Sequence, residues 1–270
     1  NGRSASGASR ARPRADAAAV GILPLENLAL VIRRVLLVVN PGSRHGVRDL
    51  RRVQRAFAAC GVSCDTRFTA GPGDAGALAR DIGQTYDALF TLGGDGTIME
   101  ALGGLAGGGT PLGALAGGTG NLFVRAFGIP LRPGRAVRAL CAGATRTIDV
   151  AELGTGGHFA VAAGIGIDVA MIETASAVLK RRLGLTAYIL AGARVAIGAA
   201  ARGESFRARI TVDDTVHEVE ALSVLVANVE SVLNGLITLA PGAAPDDGAI
   251  DVAVYAARTV PQALRVAWRM

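Results

Sequence analysis

Gly93-Gly94-Asp95-Gly96-Thr97 is the stretch of this chain best suited to chemistry. It follows Ala88-Leu89-Phe90-Thr91-Leu92, an apolar run with the length and composition of a buried strand. It precedes Ile98-Met99-Glu100-Ala101-Leu102, which reads as the start of a helix. A glycine-dense turn from strand to helix lets backbone N–H groups close on an anion, and the helix N-terminus adds positive potential. Thr97 with Glu100 three positions on fits a capping box, which places the helix start at Thr97. Asp95 then holds a carboxylate beside a phosphate-sized hollow, an arrangement that suits Mg²⁺ or a metal-bound nucleotide better than a bare anion. The spacing predicts a nucleotide phosphate site. With 37 glycines in 270 residues a plain tight turn is the competing account, but five specified residues between strand and helix weigh against it.

Other stretches carry weaker signals. Gly117-Gly118-Thr119-Gly120-Asn121 is a second glycine turn, again after an apolar run and before a helical one. Asn40-Pro41-Gly42-Ser43-Arg44 ends the first strand and could equally be an ordinary turn. Asp246, Asp247 and Asp251 fall within six positions and could offer oxygen ligands to a divalent cation, or form a solvated turn. Gly71-Pro72-Gly73-Asp74-Ala75-Gly76 matches the dinucleotide fingerprint, yet this glycine content yields such a match by chance and the strand before it is alternating. Gly-x-x-x-x-Gly-Lys is absent, which excludes a Walker-type loop.

The elements that must position these loops follow a repeating strand, loop, helix pattern from residue 35. Strands are expected at 35–39, 62–68, 88–92 and 112–115, with helices at 47–59, 74–82 (Asp74 as its cap), 98–105 and 122–127. Units of this length predict an α/β fold with a doubly wound parallel sheet, whose ligands sit at the carboxyl ends of the strands. Past residue 130 the pattern changes. Strands at 148–153, 159–163, 206–212, 216–219, 222–227 and 250–255, with an Asp213-Asp214 hairpin turn and one helical region at 179–200, predict a largely antiparallel β domain. The expected division is a disordered extension at 1–34, an ATP-binding α/β domain at 35–135, a β-rich domain at 136–258, and a return segment begun at 259–270.

Bulk composition narrows the partners. The chain carries +6 net charge and is 50% hydrophobic but only 4% aromatic. The charge favours anionic partners, and the scarcity of aromatics argues against a single-stranded nucleic-acid groove. Lys180 is the sole lysine among 28 basic residues, a skew that reflects coding composition. Cys60, Cys64 and Cys141, like His45, His158 and His217, lack metal-ligand spacing, so packing roles in a reducing cytoplasm are expected. The longest apolar run, 183–193, stops at Arg194 short of membrane-spanning length. Asp16 and Pro24 interrupt the one candidate for a signal peptide.

Taken together the motifs resemble the diacylglycerol kinase catalytic domain, shared by soluble bacterial lipid kinases and sphingosine kinases. The resemblance runs over 35–255. It rests on Asn-Pro-x-Ser at 40–43, Thr69 ahead of Gly73-Asp74-Ala75, Gly-Gly-Asp-Gly-Thr at 93–97, and Gly-Thr-Gly-Asn at 118–121 leading to Phe127-Gly128-Ile129-Pro130. It continues in Gly164-Ile165-Gly166-Ile167-Asp168 and in Ala240-Pro241 with Asp246-Asp247-Gly248. NAD kinases share the 93–97 turn, but the 118–130 stretch looks like the lipid kinases.

The resemblance implies that Asn40, Pro41, Gly42, Ser43, Arg44, Thr69, Gly93, Gly94, Asp95, Gly96, Thr97, Ile98, Met99 and Thr119 line an ATP site. Asp95 would be the catalytic carboxylate, central to nucleotide and Mg²⁺ binding. Asp247, with backbone carbonyls at Ile250 and Val252, would match the family's structural Mg²⁺ site. The acceptor would be a membrane lipid, most simply diacylglycerol, with a sphingoid base, NAD, or a non-catalytic ATP sensor as alternatives. A cytoplasmic protein that docks peripherally on the bilayer is implied, with Lys180-Arg181-Arg182 as a contact; a homodimer stays open. Relatives carry a later Asp-Gly-Glu whose glutamate serves as general base. These 270 residues contain none, so a fragment is expected, and whether this stretch turns over alone is left open. Arg44 and Leu122 also depart from the usual pattern.

Overall fold

The computed structural model describes residues 31–166, 205–232, 235 and 237–255. Four strands, β1 (Arg34–Val39), β2 (Ser63–Phe68), β3 (Ala88–Gly93) and β4 (Leu112–Ala116), form one parallel sheet in the order β2-β1-β3-β4. Parallel neighbours need crossovers, supplied here by α1 (Gly46–Ala59), α2 (Asp74–Arg80) and α3 (Asp95–Leu105). Two further helices follow β4: α4 (Leu122–Ala126) and α5 (Pro133–Ala142).

Strand alternation sorts the core into two layers. Val35, Leu37, Val39, Phe90 and Leu92 pack with Val53 and Phe57 of α1 and Ala136 and Val137 of α5. Phe57 meets Phe90 edge-on at 4.9 Å between ring centres. Leu36, Val38, Leu89, Ala114 and Ala116 face the other way, onto α2, α3 and α4. Both faces are covered, which is why these strands read as unbroken apolar runs, and the doubly wound expectation holds. β2 is one edge of this sheet, polar in sequence, and its last residue Phe68 is 53% exposed.

The remaining described elements pair antiparallel, as predicted. β5 (Ala151–Glu152) pairs with β6 (His158–Phe159), and β8 (Phe206–Val212) with β9 (Thr215–Ala221). β7 (Ala162–Gly166), β10 (Ser223–Ala227) and β13 (Asp251–Tyr255) form a sheet in the order β13-β10-β7. β11 (Ser231–Val232) and β12 (Ile237–Thr238), too short to leave a periodic signal, form a small ribbon. Asp213 and Asp214 both take positive φ (45° and 66°), the geometry of a tight hairpin turn.

Two strand expectations are corrected. The stretch 148–153 is strand only at β5, with an isolated bridge at Ile148, since the Asp149 N–H bonds Pro245 O in a loop and no continuous partner strand runs beside it; Ile148 and Val150 fill the core beneath α3. The stretch 159–163 splits into β6 and β7 at a bend, with Ala160 and Val161 buried in that same core. Val229 and Val232 join them, so the β-rich part is built onto the α3 face of the sheet. Arg34, assigned to the N-terminal extension, already belongs to β1. The extension at 1–30, the helix at 179–200 with its 180–182 and 183–193 segments, Ile167-Asp168, and 259–270 lie outside the described residues.

Candidate functional site

All four parallel strands end at one edge, and the loops leaving them are stitched together there. The backbone N–H of Asn40 donates to Leu92 O, that of Thr69 to Val39 O, that of His45 to Gly117 O, and that of Gly117 to Gly93 O at 2.7 Å. Asn40 organises the first loop. Its Oδ1 accepts from the Gly42 N–H at 2.9 Å, its carbonyl accepts from Ser43 Oγ at 2.8 Å, and its Nδ2 donates to Thr97 Oγ1 at 3.0 Å. Ser43 Oγ in turn accepts from the Gly46 N–H that opens α1. The 40–44 loop is therefore braced internally and tied to the 93–97 turn.

The two glycine turns meet backbone to backbone. A Cβ on Gly118 would stand 2.7 Å from Gly94 Cα, and one on Gly117 would stand 2.9 Å from Gly93 N. Only glycine allows this approach. Asn121 closes the second turn: its Oδ1 accepts from the Gly118 N–H and its Nδ2 donates to Gly118 O, at 2.9 and 3.0 Å. It is buried and left-handed (φ 49°), a conformation that asparagine tolerates better than most residues.

The capping-box expectation is corrected. α3 starts at Asp95 with Gly94 as its cap residue, so Thr97 lies inside the first turn, buried and bonded to Asn40. No side chain caps this helix. Its first N–H groups have no acceptor within the helix and open beside the exposed Gly96. That suits a polyphosphate, which would bring both the acceptors and the negative charge that an uncapped helix start favours. Asp95 faces α4 instead. Its Oδ1 accepts from the Phe123 N–H at 3.0 Å, capping α4 from another element. Oδ2 lies over Gly120, where a Cβ would stand 3.3 Å away, and has no hydrogen-bond partner among the described residues. One oxygen fixes the carboxylate and the other is available to a cation, so the donor set fits Mg²⁺. Asp74, expected to cap α2, is corrected too: its Oδ2 accepts from the Ala70 and Gly71 N–H groups and tightens the loop after Thr69.

The predicted ATP-site residues thus sit on neighbouring loops at one edge. Pro41, Gly42, Arg44, Gly96 and Thr119 are exposed there, and Ser43, Gly94, Asp95 and Met99 are half-buried. Thr69 is buried, and Ile98 packs wholly in the core, leaving only its backbone for a ligand. Leu122 opens α4, half-buried against the core.

The acidic loop is arranged differently from the three-carboxylate cluster entertained above. Asp246 pairs with Arg146 at 2.8 Å, and Asp251 is buried at the start of β13. Among the described residues no three acidic, His or Cys groups converge as a metal would need. Asp247 is exposed, its Oδ1 accepting from the Ala249 N–H, while Ile250 is buried and Val252 half-buried. The residue that sequence reasoning missed is Asp149. Its N–H donates to Pro245 O and its Oδ2 accepts from the Gly248 N–H at 2.8 Å, so it holds both ends of the loop. Burial raises its carboxyl above the ordinary range, and the charges of Asp247 and Asp246 add to that rise. Asp247 with the carbonyls of Ile250 and Val252 would offer a cation one carboxylate and two carbonyl oxygens, ligands of the kind Mg²⁺ takes. For Asp149 the signal was an aspartate inside the apolar run Ile148-Asp149-Val150. Asn228, wholly buried just after β10, donates to Asp149 O and Ala160 O and ties those two segments together.

Residues 34–153 match the family model of the diacylglycerol kinase catalytic domain, and 160–270 match the YegS C-terminal NAD kinase beta sandwich-like domain. A Pseudomonas aeruginosa protein named "Probable lipid kinase YegS-like" is 34% identical over 225 residues, covering 82% of this chain and 72% of that one. The chain belongs to the diacylglycerol kinase catalytic domain family. A Bacillus subtilis protein named diacylglycerol kinase is 29% identical over 242 residues, covering 87% of this chain and 78% of its own length. A solved structure titled as a diacylglycerol kinase from Bacillus anthracis superposes with a TM-score of 0.67 at 28% identity, over 87% of this chain and 77% of that one. The fold of this diacylglycerol kinase family member is thus the family's fold: a parallel α/β part followed by antiparallel sheets. Among the described residues, no helix is long and apolar enough to cross a membrane.

Proposed function

We propose that this chain is an ATP- and Mg²⁺-dependent lipid kinase that transfers the γ-phosphate to a lipid hydroxyl, diacylglycerol to phosphatidic acid. The observation that carries the proposal is the uncapped start of α3 facing the 40–44 and 117–121 loops, with Asp95 between them. Residues 40–44, Thr69, 93–99 and Thr119 would hold the nucleotide, and Mg²⁺ would supply the charge that neutralises the transferring phosphoryl group. Asp247 with the carbonyls of Ile250 and Val252 would hold a second, structural Mg²⁺. The relatives' names support a lipid acceptor, and the enzyme would meet it by docking peripherally on the cytoplasmic face of a bilayer.

NAD is the competing acceptor, favoured by the NAD kinase-like description of the C-terminal match. Transfer of label from γ-labelled ATP to vesicle-borne diacylglycerol or sphingosine, run beside soluble NAD, separates the two. Label in diacylglycerol supports the proposal; label in sphingosine alone, or in NAD without vesicles, overturns it.

A further inference from the structure

Several arginines of this chain stand beside an acidic partner. Arg34 pairs with Asp65 at 2.7 Å and Arg146 with Asp246 at 2.8 Å, and between β8 and β9 Arg207 and Arg209 lie opposite Glu220 and Glu218. The outer face of α1 and α5 is different. Arg48, Arg51, Arg52 and Arg55 recur at i, i+3, i+4 and i+7, one exposed stripe on the side of α1 away from the buried Val53 and Phe57. Arg135 and Arg138 form the matching stripe on α5, opposite the buried Ala136 and Val137. The two helices lie side by side: a Cβ on Gly134 of α5 would stand 3.4 Å from Arg52 Cγ. Asp49 is the one acidic residue on either helix, and it bonds Arg52 at 2.8 Å. Arg48, Arg51, Arg55, Arg135 and Arg138 have no ion-pair partner among the described residues.

Six arginines against one aspartate give these two helices a net charge of +5, where the whole chain carries +6. The rest of the chain is therefore close to neutral. Coding composition raises arginine everywhere, but it does not gather the unbalanced charge on one face.

From this distribution we propose that the α1/α5 face docks the protein on a bilayer containing anionic phospholipid. The choice of a bilayer rests on the proposed lipid-kinase activity and on the make-up of the face itself. Exposed apolar side chains border it, Val47 (55%) in the first turn of α1 and Leu131 (41%) just ahead of α5, and these suit insertion between headgroups. No aromatic side chain is exposed on either helix to stack with bases, which disfavours single-stranded nucleic acid. Guanidinium groups take lipid phosphates bidentately. α1 also leaves the 40–44 loop directly, with the Gly46 N–H on Ser43 Oγ, so a bilayer held along this helix lies next to the edge that carries the phosphate loops. Each arginine at an anionic surface strengthens binding about fivefold. The gain falls off within a Debye length, about 10 Å at 0.1 M salt and about 3 Å at 1 M.

The test is co-sedimentation of the whole chain with phosphatidylcholine vesicles, with and without phosphatidylglycerol, in the absence of ATP and diacylglycerol, beside a titration with duplex RNA. Wild type should bind the anionic vesicles, bind the neutral ones more than about tenfold more weakly, and come off as salt rises from about 0.1 to 1 M. Arg51→Gln/Arg55→Gln/Arg138→Gln should lose about 100-fold in affinity for anionic vesicles with its unfolding midpoint unchanged. Arg80→Gln/Arg207→Gln/Arg209→Gln removes the same charge elsewhere and should bind within about threefold of wild type. Docking is read here without transfer, so its failure leaves the kinase reading standing; that reading fails by itself if docking holds and no diacylglycerol is phosphorylated. No binding to anionic vesicles, equal binding to neutral ones, unchanged binding in the first variant, equal losses in both variants, or tighter binding to RNA than to anionic vesicles would each overturn the inference.

Discussion

Asp95 carries two separable loads, and replacing it tests both. Its Oδ1 accepts the Phe123 N–H at the start of α4, a charge-assisted cap worth about 1–2 kcal/mol. For a chain of this size each kcal/mol moves the unfolding midpoint by about 2–4 °C, so Asp95→Ala should lower it by about 2–8 °C. Asp95→Asn keeps a neutral acceptor at Oδ1 and should recover about half of that loss. Oδ2, which faces the space over Gly120, loses its charge in both variants. Mg-ATP binding should therefore weaken about tenfold or more in each, near 1.4 kcal/mol, while ATP without metal is affected less. The assays are thermal unfolding and nucleotide titration with and without Mg²⁺. Wild-type unfolding of Asp95→Ala would refute the cap. Wild-type Mg-ATP affinity in a folded Asp95→Asn would refute the metal role.

Three other expectations follow from the geometry. Gly118→Ala places a methyl 2.7 Å from Gly94 Cα and should weaken nucleotide binding more than tenfold, whereas Gly109→Ala, with nothing within 4 Å, should bind as wild type; titration of ATP compares them. Asp247→Ala should lower the unfolding midpoint more in Mg²⁺ than after chelation, and equal losses in both conditions would argue against a metal there. The Asp87 carboxyl accepts the Arg33 and Arg34 N–H groups at 2.8 Å each, and these bonds hold it below the usual carboxylate range. Since its folded pKa is depressed, its contribution is present above the unfolded value near 3.9 and is lost as pH falls through the folded one. Asp87→Ala should therefore be less stable than wild type at neutral pH, with the gap closing in acid; a gap constant with pH would contradict this.

Much of the architecture was legible because the signals were local. Strands β1, β3 and β4 are buried on both faces and so appear as apolar runs, and the glycine turns mark where backbone must approach backbone. What escaped depends on contacts distant in sequence. Thr97 matches a capping box by spacing, but its hydroxyl is claimed by Asn40 from another loop, and the helix begins three residues earlier than that cap would place it. Asp149 went unremarked inside the strand expected at 148–153, and its role emerges only when the fold brings residues 245–248 against it. For Asp246 the sequence left a metal ligand and a solvated turn both open, because spacing cannot reveal Arg146 opposite it.

Phosphate transfer from γ-labelled ATP with Mg²⁺ is the most direct measurement, with diacylglycerol vesicles, sphingosine vesicles and soluble NAD as parallel acceptors and Asp95→Asn as the control. The account predicts label in diacylglycerol, recovered as phosphatidic acid and lost in Asp95→Asn. Label in NAD independent of vesicles, transfer unchanged in Asp95→Asn, or Mg-ATP binding with no transfer to any acceptor would contradict it.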